Sequence, residues 1–283
     1  MNDFAIFILS HGRADRVLTV KTLEACGYTG MWYVVIDDED SQGWKYKEKF
    51  GDRVIMFNKA ESAEHSDTCD NFHYMNIVLY ARNACFDIAK SLQLRYFLVL
   101  DDDYGDFWYR YDTALQPINN LRSMHLDKVI SAALEYYKSI PALSIAFAQA
   151  GDFLGGKNGG AAHRPIWRKC MNSFFMSTDR PFKFLGTINE DVNAYCLLGS
   201  QGYLFLNIPL ISVGQQVTQS KAGGLTEAYL STGTYVKSFY TAMLCPSSVT
   251  VELMHSHHPR LHHKIKWATA VPKIIHEKWR KTA

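Results

Sequence analysis

Apolar residues gather along the first hundred positions into short runs separated by mixed stretches. F-A-I-F-I-L (4–9), M-W-Y-V-V-I (31–36), R-V-I-M-F (53–57) and Y-F-L-V-L (96–100) have the length of strands. Between them, R-V-L-T-V-K-T-L-E-A-C, stopped by Gly27, then K-Y-K-E-K-F-G and the long stretch 74–92 carry apolar residues at helical spacing. Strand and helix in alternation predict right-handed crossovers and a mostly parallel sheet, an α/β fold. In such sheets ligands bind at the carboxyl ends of the strands. Three of the runs end in polar signatures there: Ser10-His11-Gly12-Arg13, Asp37-Asp38-Glu39-Asp40 and Asp101-Asp102-Asp103. One sheet edge is expected to collect all three.

The second half is less regular. S-I-A-F-A-Q-A (144–150), N-S-F-F-M (172–176), G-Y-L-F-L-N-I (202–208) and T-V-E-L-M (250–254) read as strands. Residues 190–200 and 226–245 read as helices, and 151–163 as a flexible glycine-rich loop. No internal repeat or low-complexity linker interrupts the chain, so one composite domain is expected.

With 283 residues and 47% hydrophobic composition, the chain can bury a full core. No run of about 18 apolar residues occurs, and the N-terminus lacks the pattern of a secretory signal, so a cytoplasmic protein is expected, in the host cytoplasm if viral. The six cysteines form no C-x-x-C pair; buried free thiols fit best, while spacing alone leaves disulfides open. A net charge of +2 points to no nucleic-acid partner. Its distribution changes that picture, because from Arg260 onward basic residues face the single acid Glu277. Such a tail suits a polyanion, or equally the basic face of a solvated amphipathic helix.

Three consecutive carboxylates at the end of an apolar strand repel one another, so they persist in water or around a cation. Asp and Gly also favour turns, which leaves a solvated turn as the bland alternative. An Asp-x-Asp at a strand end offers hard oxygen ligands for Mg²⁺ or Mn²⁺, ions that keep positions open for phosphate oxygens. The glycine-rich G-G-K-N-G-G (155–160) does not match a P-loop and is read as a mobile loop over a substrate. Trp167, with Arg168 and Lys169, is either a stacking platform or an ordinary core and rim residue. No cysteine or histidine pair stands at a zinc-finger spacing.

The segment A-R-N-A-C-F-D-I-A-K-S-L-Q-L-R-Y-F-L-V-L-D-D-D resembles nucleotide-sugar glycosyltransferases of the A fold. V-V-I-D-D-E-D resembles the acidic strand end with which such enzymes hold the nucleotide, and N-E-D-V-N-A-Y-C-L-L-G-S-Q-G-Y-L-F their downstream Glu-Asp helix start. The opening F-I-L-S-H-G-R-A-D-R-V-L-T-V-K-T-L-E-A-C-G-Y-T-G is similar to a narrower group, the TET-associated glycosyltransferases of bacteriophages. The resemblance implies a Rossmann-like, mostly parallel sheet flanked by helices, with a smaller antiparallel acceptor-side region. A single domain 1–283 would then comprise a nucleotide-sugar half (1–110), an acceptor half (111–255) and a basic segment (256–283).

It further implies a UDP-sugar donor with Mn²⁺ or Mg²⁺. Asp101 and Asp103 would hold the metal, Asp101 or Asp102 would contact the donor, and Asp37, with Asp38 beside it, would accept from the base. Arg82 and Asn83 would organise the nucleotide pocket, and Ser10, His11 and Arg13 would lie along the donor. His255 and His257, two apart and so on one side of an extended segment, are candidates for a late metal ligand. His258, His262 and His263 fit a solvated or phosphate-contacting segment. Displacing a nucleoside diphosphate needs a base for the acceptor hydroxyl, and Asp191, beside Glu190, suits that role, with inversion as the consequence. Acidic residues also simply favour a helix N-terminus. The acceptor implied is 5-hydroxymethylcytosine in DNA, with the basic tail on phosphate. Other sugar, lipid-linked or protein acceptors remain open, as does a non-catalytic binding module, though an intact acidic cluster counts against the last. No membrane partner is implied, and the oligomeric state is open.

Overall fold

The computed structural model describes residues 3–165, 167–215, 226–254 and 259–280. In chain order its strands are β1 (Phe4–Leu9), β2 (Trp32–Asp37), β3 (Val54–Phe57), β4 (Tyr96–Asp101), β5 (Tyr104–Tyr111), β6 (Pro117–Arg122), β7 (Ala142–Gln149), β8 (Phe174–Ser177), β9 (Leu204–Gln215), β10 (Val249–Met254) and β11 (Arg260–Ile265). The helices are α1 (Leu18–Ala25), α2 (Gly43–Phe50), α3 (Lys59–Glu64), α4 (Val78–Ser91), α5 (Leu126–Ser139), α6 (Gly160–His163), α7 (Glu190–Ser200), α8 (Thr226–Leu244) and α9 (Trp267–Ala270). None among the described residues is long and apolar enough to cross a membrane.

Strands β1 to β9 form one sheet in the order β3-β2-β1-β4-β8-β7-β9-β5-β6. Its first four strands are parallel, β8 runs against β4 and β7, β9 runs parallel to β7, and β5 and β6 close the far edge antiparallel. All six residues of β1 are buried, because helices cover both faces. The two-residue period of a strand sends Ala5, Phe7, Phe97 and Val99 into one core with α4 and α7. Phe4, Ile6, Ile8, Leu98 and Leu100 enter the opposite core with α1 and α5. Burying each large side chain stabilises the fold by about 1.5–3 kcal/mol.

What positions the site is the break in strand order. The chain moves outward from β1 to β2 and β3, then returns through α4 to place β4 on the other side of β1. The adjacent crossovers diverge there and leave a crevice at the carboxyl ends of β1 and β4. Register then brings the loops together, since Leu9 lies opposite both Asp101 and Val35.

Several elements differ from their sequence expectation. The helix expected over 74–92 begins at Val78, because Ile77 before it is extended, with φ -121 and ψ 147. The glycine-rich 151–163 segment, expected as a loop, folds into short 3-10 turns and α6. The amphipathic helix that was one reading of the tail does not form among the described residues. R-L-H-H-K-I instead makes β11, antiparallel to β10, and α9 follows with Trp267 stacked 5.6 Å from Tyr195. All six cysteines are free thiols.

Candidate active site

Each member of the Asp101-Asp102-Asp103 turn has a different environment. Asp102 is 1% exposed and accepts from Ser10 Oγ at 2.5 Å, with Arg13 Nε at 3.2 Å. Ser10 also meets the Tyr46 hydroxyl at 2.7 Å, and that hydroxyl takes the Arg13 amide at 2.9 Å. Ser10, Arg13 and Asp102 therefore form one buried brace that ties the first loop to the end of β4.

Asp101 faces the other way, toward Arg82 Nη2 at 3.4 Å and the Tyr104 hydroxyl at 3.5 Å. Arg82 is 2% exposed on α4, lies over the ring of Phe174 at 4.9 Å and donates to Glu190. The A-R-N arginine thus links the acid turn to the start of α7, and the two carboxylates compensate the burial of its charge. Asn83 points elsewhere: its amide donates to Ser66 Oγ at 2.9 Å and to the Phe184 carbonyl at 3.2 Å.

Asp103 is the least satisfied of the three. Its Oδ1 is buried without a hydrogen-bond partner, and Oδ2 has only Gln215 Nε2 at 3.5 Å. Burial, then the charges of Asp101 and Asp102, push its carboxyl up to about 7. Burial raises Asp101 and Glu190 as well, against the pull of Arg82. An orphaned carboxylate oxygen at the sheet's binding edge, among like charges, is the environment that a divalent cation would complete. The residues therefore fit the expected metal. Among the described residues no three His, Cys, Asp or Glu side chains form a cage for one. His255, His257 and His258 lie outside the described residues.

A second carboxylate centre sits at the end of β2. Asp37 receives His11 Nδ1 at 2.6 Å on one oxygen and Lys59 Nζ at 2.8 Å on the other. Burial pushes its carboxyl up, but these two partners outweigh that and hold it down at about 2. The hydrogen bond to Asp37 raises His11 in turn, against burial. Lys59, itself 3% exposed, also reaches Glu39 at 3.2 Å and Asn76 at 3.1 Å. Asp38 accepts from the Lys59 amide at 2.9 Å, and Asp40 from the Gly12 amide at 2.7 Å. Gly12 has φ +64, a conformation glycine adopts without strain.

Glu190 and Asp191 open α7 after Asn189, whose φ is +57. Asp191 is 6% exposed and accepts from the Val192 amide at 2.8 Å. The preceding loop is fastened by Asn193, which donates to the carbonyls of Leu185 and Ile188 at 3.0 and 2.9 Å, while Thr241 on α8 donates to its Oδ1 at 2.8 Å. Burial lowers Lys237 on α8, although Asp191 and Glu190 act to raise it. His262 and His263 are partly buried on β11, their rings 4.3 Å apart. Burial drives His263 down to about 3.

Sequence reasoning missed Lys59, Tyr46, Tyr104 and Gln215. The first three are buried partners whose value comes only from what they touch. Gln215, at the end of β9, comes beside Asp103 through the pairing of that strand with Tyr104.

Among solved structures, glucosyl-3-phosphoglycerate synthase from Mycobacterium tuberculosis, in complexes with UDP and Mg²⁺ and with UDP, Mn²⁺ and phosphoglyceric acid, shares 10% identity at a TM-score of 0.47. The alignments cover 93% of this chain and 87% and 86% of that one. The S. aureus protein TarS (residues 1–349) shares 10% identity at a TM-score of 0.44, over 77% of this chain and 61% of that one. No curated protein matches the sequence. The profile of the TET-associated glycosyltransferases matches residues 4–224, most of the chain and both carboxylate centres. On that match the chain belongs to the TET-associated glycosyltransferase family and is a glycosyltransferase.

Proposed function

We propose that the protein transfers a sugar from a UDP-sugar to 5-hydroxymethylcytosine in DNA, with a divalent metal and with inversion at the anomeric carbon. The observation that carries this reading is the buried, unpartnered Oδ1 of Asp103 beside Asp101 at the carboxyl edge of the sheet. Asp101 and Asp103 would hold Mn²⁺ or Mg²⁺, which when bound offsets the charge developing on the leaving diphosphate. His255 or His257, outside the described residues, would supply the late metal ligand.

The chain's own residues do the rest. Asp37, ionised and clamped by His11 and Lys59, accepts from the nucleobase, with Asp38 on the neighbouring turn. Its two partners fix the carboxylate before the donor arrives, so little ordering remains to be done on binding. Ser10, Arg13 and Asp102 hold the donor loop in place from beneath. Arg82 fixes Asp101 and Glu190 relative to each other, and Asn83 fastens the segment that leads to α7. Asp191 takes the proton of the acceptor hydroxyl as that oxygen attacks from the face opposite the diphosphate. The acceptor reading is supported by the family's name, which ties it to TET. A 5-substituent projects into the major groove of a duplex, where a glycosyltransferase can reach it.

The deciding experiment incubates the protein with hydroxymethylcytosine-containing DNA, Mn²⁺ and a panel of UDP-sugars, then digests the DNA to nucleosides for mass spectrometry. A hexose or N-acetylhexosamine increment on hydroxymethylcytosine is expected with at least one donor; its absence with every donor sinks the reading. Asp191→Asn should reduce transfer by roughly 10²–10⁴-fold while UDP binding stays intact.

A further inference from the structure

The far edge of the sheet holds a buried cation that no acid among the described residues neutralises. Arg110 on β5 is 4% exposed and lies 4.7 Å over the ring of Phe153. Its Nε donates to Ser212 Oγ at 2.6 Å and its Nη1 to Asn120 Oδ1. The other well-buried cations among the described residues face carboxylates or backbone carbonyls. Arg82 faces two carboxylates, Lys59 faces Asp37 and Glu39, and Arg180 donates to the carbonyls of Ile140, Ala142 and Tyr137. Of the five N–H donors of Arg110, two are engaged. Burial alone acts on its pKa and lowers it.

Beside it lies a cavity of about 390 Å³, lined by Arg110, Asn119, Asn120, Ala150, Phe153 and Gly156 and free of acidic residues. Its wall is built to shape. The Lys157 amide donates to Asn119 Oδ1 at 3.3 Å, and a Cβ on Gly156 would come within 2.7 Å of that same oxygen. Gly156 also has φ +58, a backbone conformation that favours glycine at this turn. The glycine-rich segment is thereby tied down as one side of the cavity.

An uncompensated buried cation is unfavourable, and an anion in the adjoining cavity offsets that penalty. A planar guanidinium fork next to amide donors matches a phosphate group in particular. Arg110 stands six residues beyond Tyr104 on β5, roughly 20 Å along the strand from the acid turn, so the donor diphosphate at Asp101 does not reach it. We propose that this cavity binds a phosphate group, supplied by a backbone phosphodiester of the acceptor strand or by free phosphate. The first source rests on the DNA reading above; the pocket itself does not.

The test uses Asn120→Asp, which places a carboxylate against the guanidinium and supplies the missing counter-charge from an exposed position. Its thermal midpoint should equal or exceed that of the wild type, which establishes folding. Arg110→Met is the second variant. Anisotropy with a hydroxymethylcytosine duplex over a salt series should show about tenfold weaker binding for both variants and a log–log salt slope smaller by about 0.9. Inorganic phosphate, without DNA, should raise the midpoint of the wild type and not of the variants. Wild-type and variant affinities and slopes that coincide, together with no phosphate response in the wild type, would overturn the pocket. A phosphate response lost in Asn120→Asp, from a protein that binds no duplex at all, would uphold the pocket and remove the DNA source instead.

Discussion

At the scale of single residues, the site is built from charges that are fixed before any ligand arrives. Arg82 is buried between Glu190 and Asp101, and removing it strands both carboxylates in a low-dielectric interior. Arg82→Met should lower the urea unfolding free energy by about 3–5 kcal/mol, and adding Glu190→Gln should restore part of it. The Asp37–His11 pair predicts a pH signature. The Asp37 carboxyl, held at about 2 against 3.8 for the ordinary group, contributes stability that is complete above pH 3.8 and lost as pH falls toward 2. His11, raised above 6.5, contributes stability that is complete below 6.5 and lost as pH rises through its folded value. An NMR titration of His11 should therefore report a midpoint above 6.5, and Asp37→Asn should bring it back down. A midpoint that ignores the substitution would mean the 2.6 Å contact does not form in solution. Sequence alone located these acids at strand ends. It had no means of finding Lys59, a lone lysine at the start of α3 whose neighbours come from β2 and from Asn76.

At the scale of elements, legibility followed regularity. β1, β2, β4 and α7 are found within a residue or so of where the apolar runs predict them. β5 went unread because its pattern starts directly on the acid turn and a bulge between Tyr104 and Asp106 breaks its period. α5 was missed although Leu126, Ile130, Leu134 and Tyr137 repeat on one buried face. In the tail, the amphipathic helix that was one of two readings gives way to β11 and the short α9. Gly199 on α7 lets the α9 segment approach so closely that a Cβ there would sit 2.3 Å from the Ala270 carbonyl. Gly199→Ala should cost about 1–3 kcal/mol and change the fluorescence of Trp267, which stacks on Tyr195 from that same segment. Unchanged stability and emission would show that α9 does not depend on this approach.

At the scale of the whole molecule, one sheet with a core on each face carries two carboxylate centres on its carboxyl edge and the Arg110 cavity on its far side. A ligand that binds only the folded state stabilises all of it together. UDP with Mn²⁺ at about 100 times its dissociation constant should add about 2.7 kcal/mol, seen as a higher thermal midpoint. Asp103→Ala should remove the Mn²⁺-dependent part, and an equal shift in that variant would take Asp103 out of the metal site. The apolar runs and their polar endings were enough to determine the α/β class and the sheet edge on which the acids gather, because strand length, helical period and crossover handedness are local or nearly universal rules. Which carboxylate faces what was decided only by the tertiary structure. Asp101, Asp102 and Asp103 are identical in sequence terms, yet one meets Arg82, one is locked to Ser10 and Arg13, and one keeps a buried oxygen without a partner. That division depends on contacts between residues up to about ninety positions apart, which register across the sheet creates and no local pattern encodes.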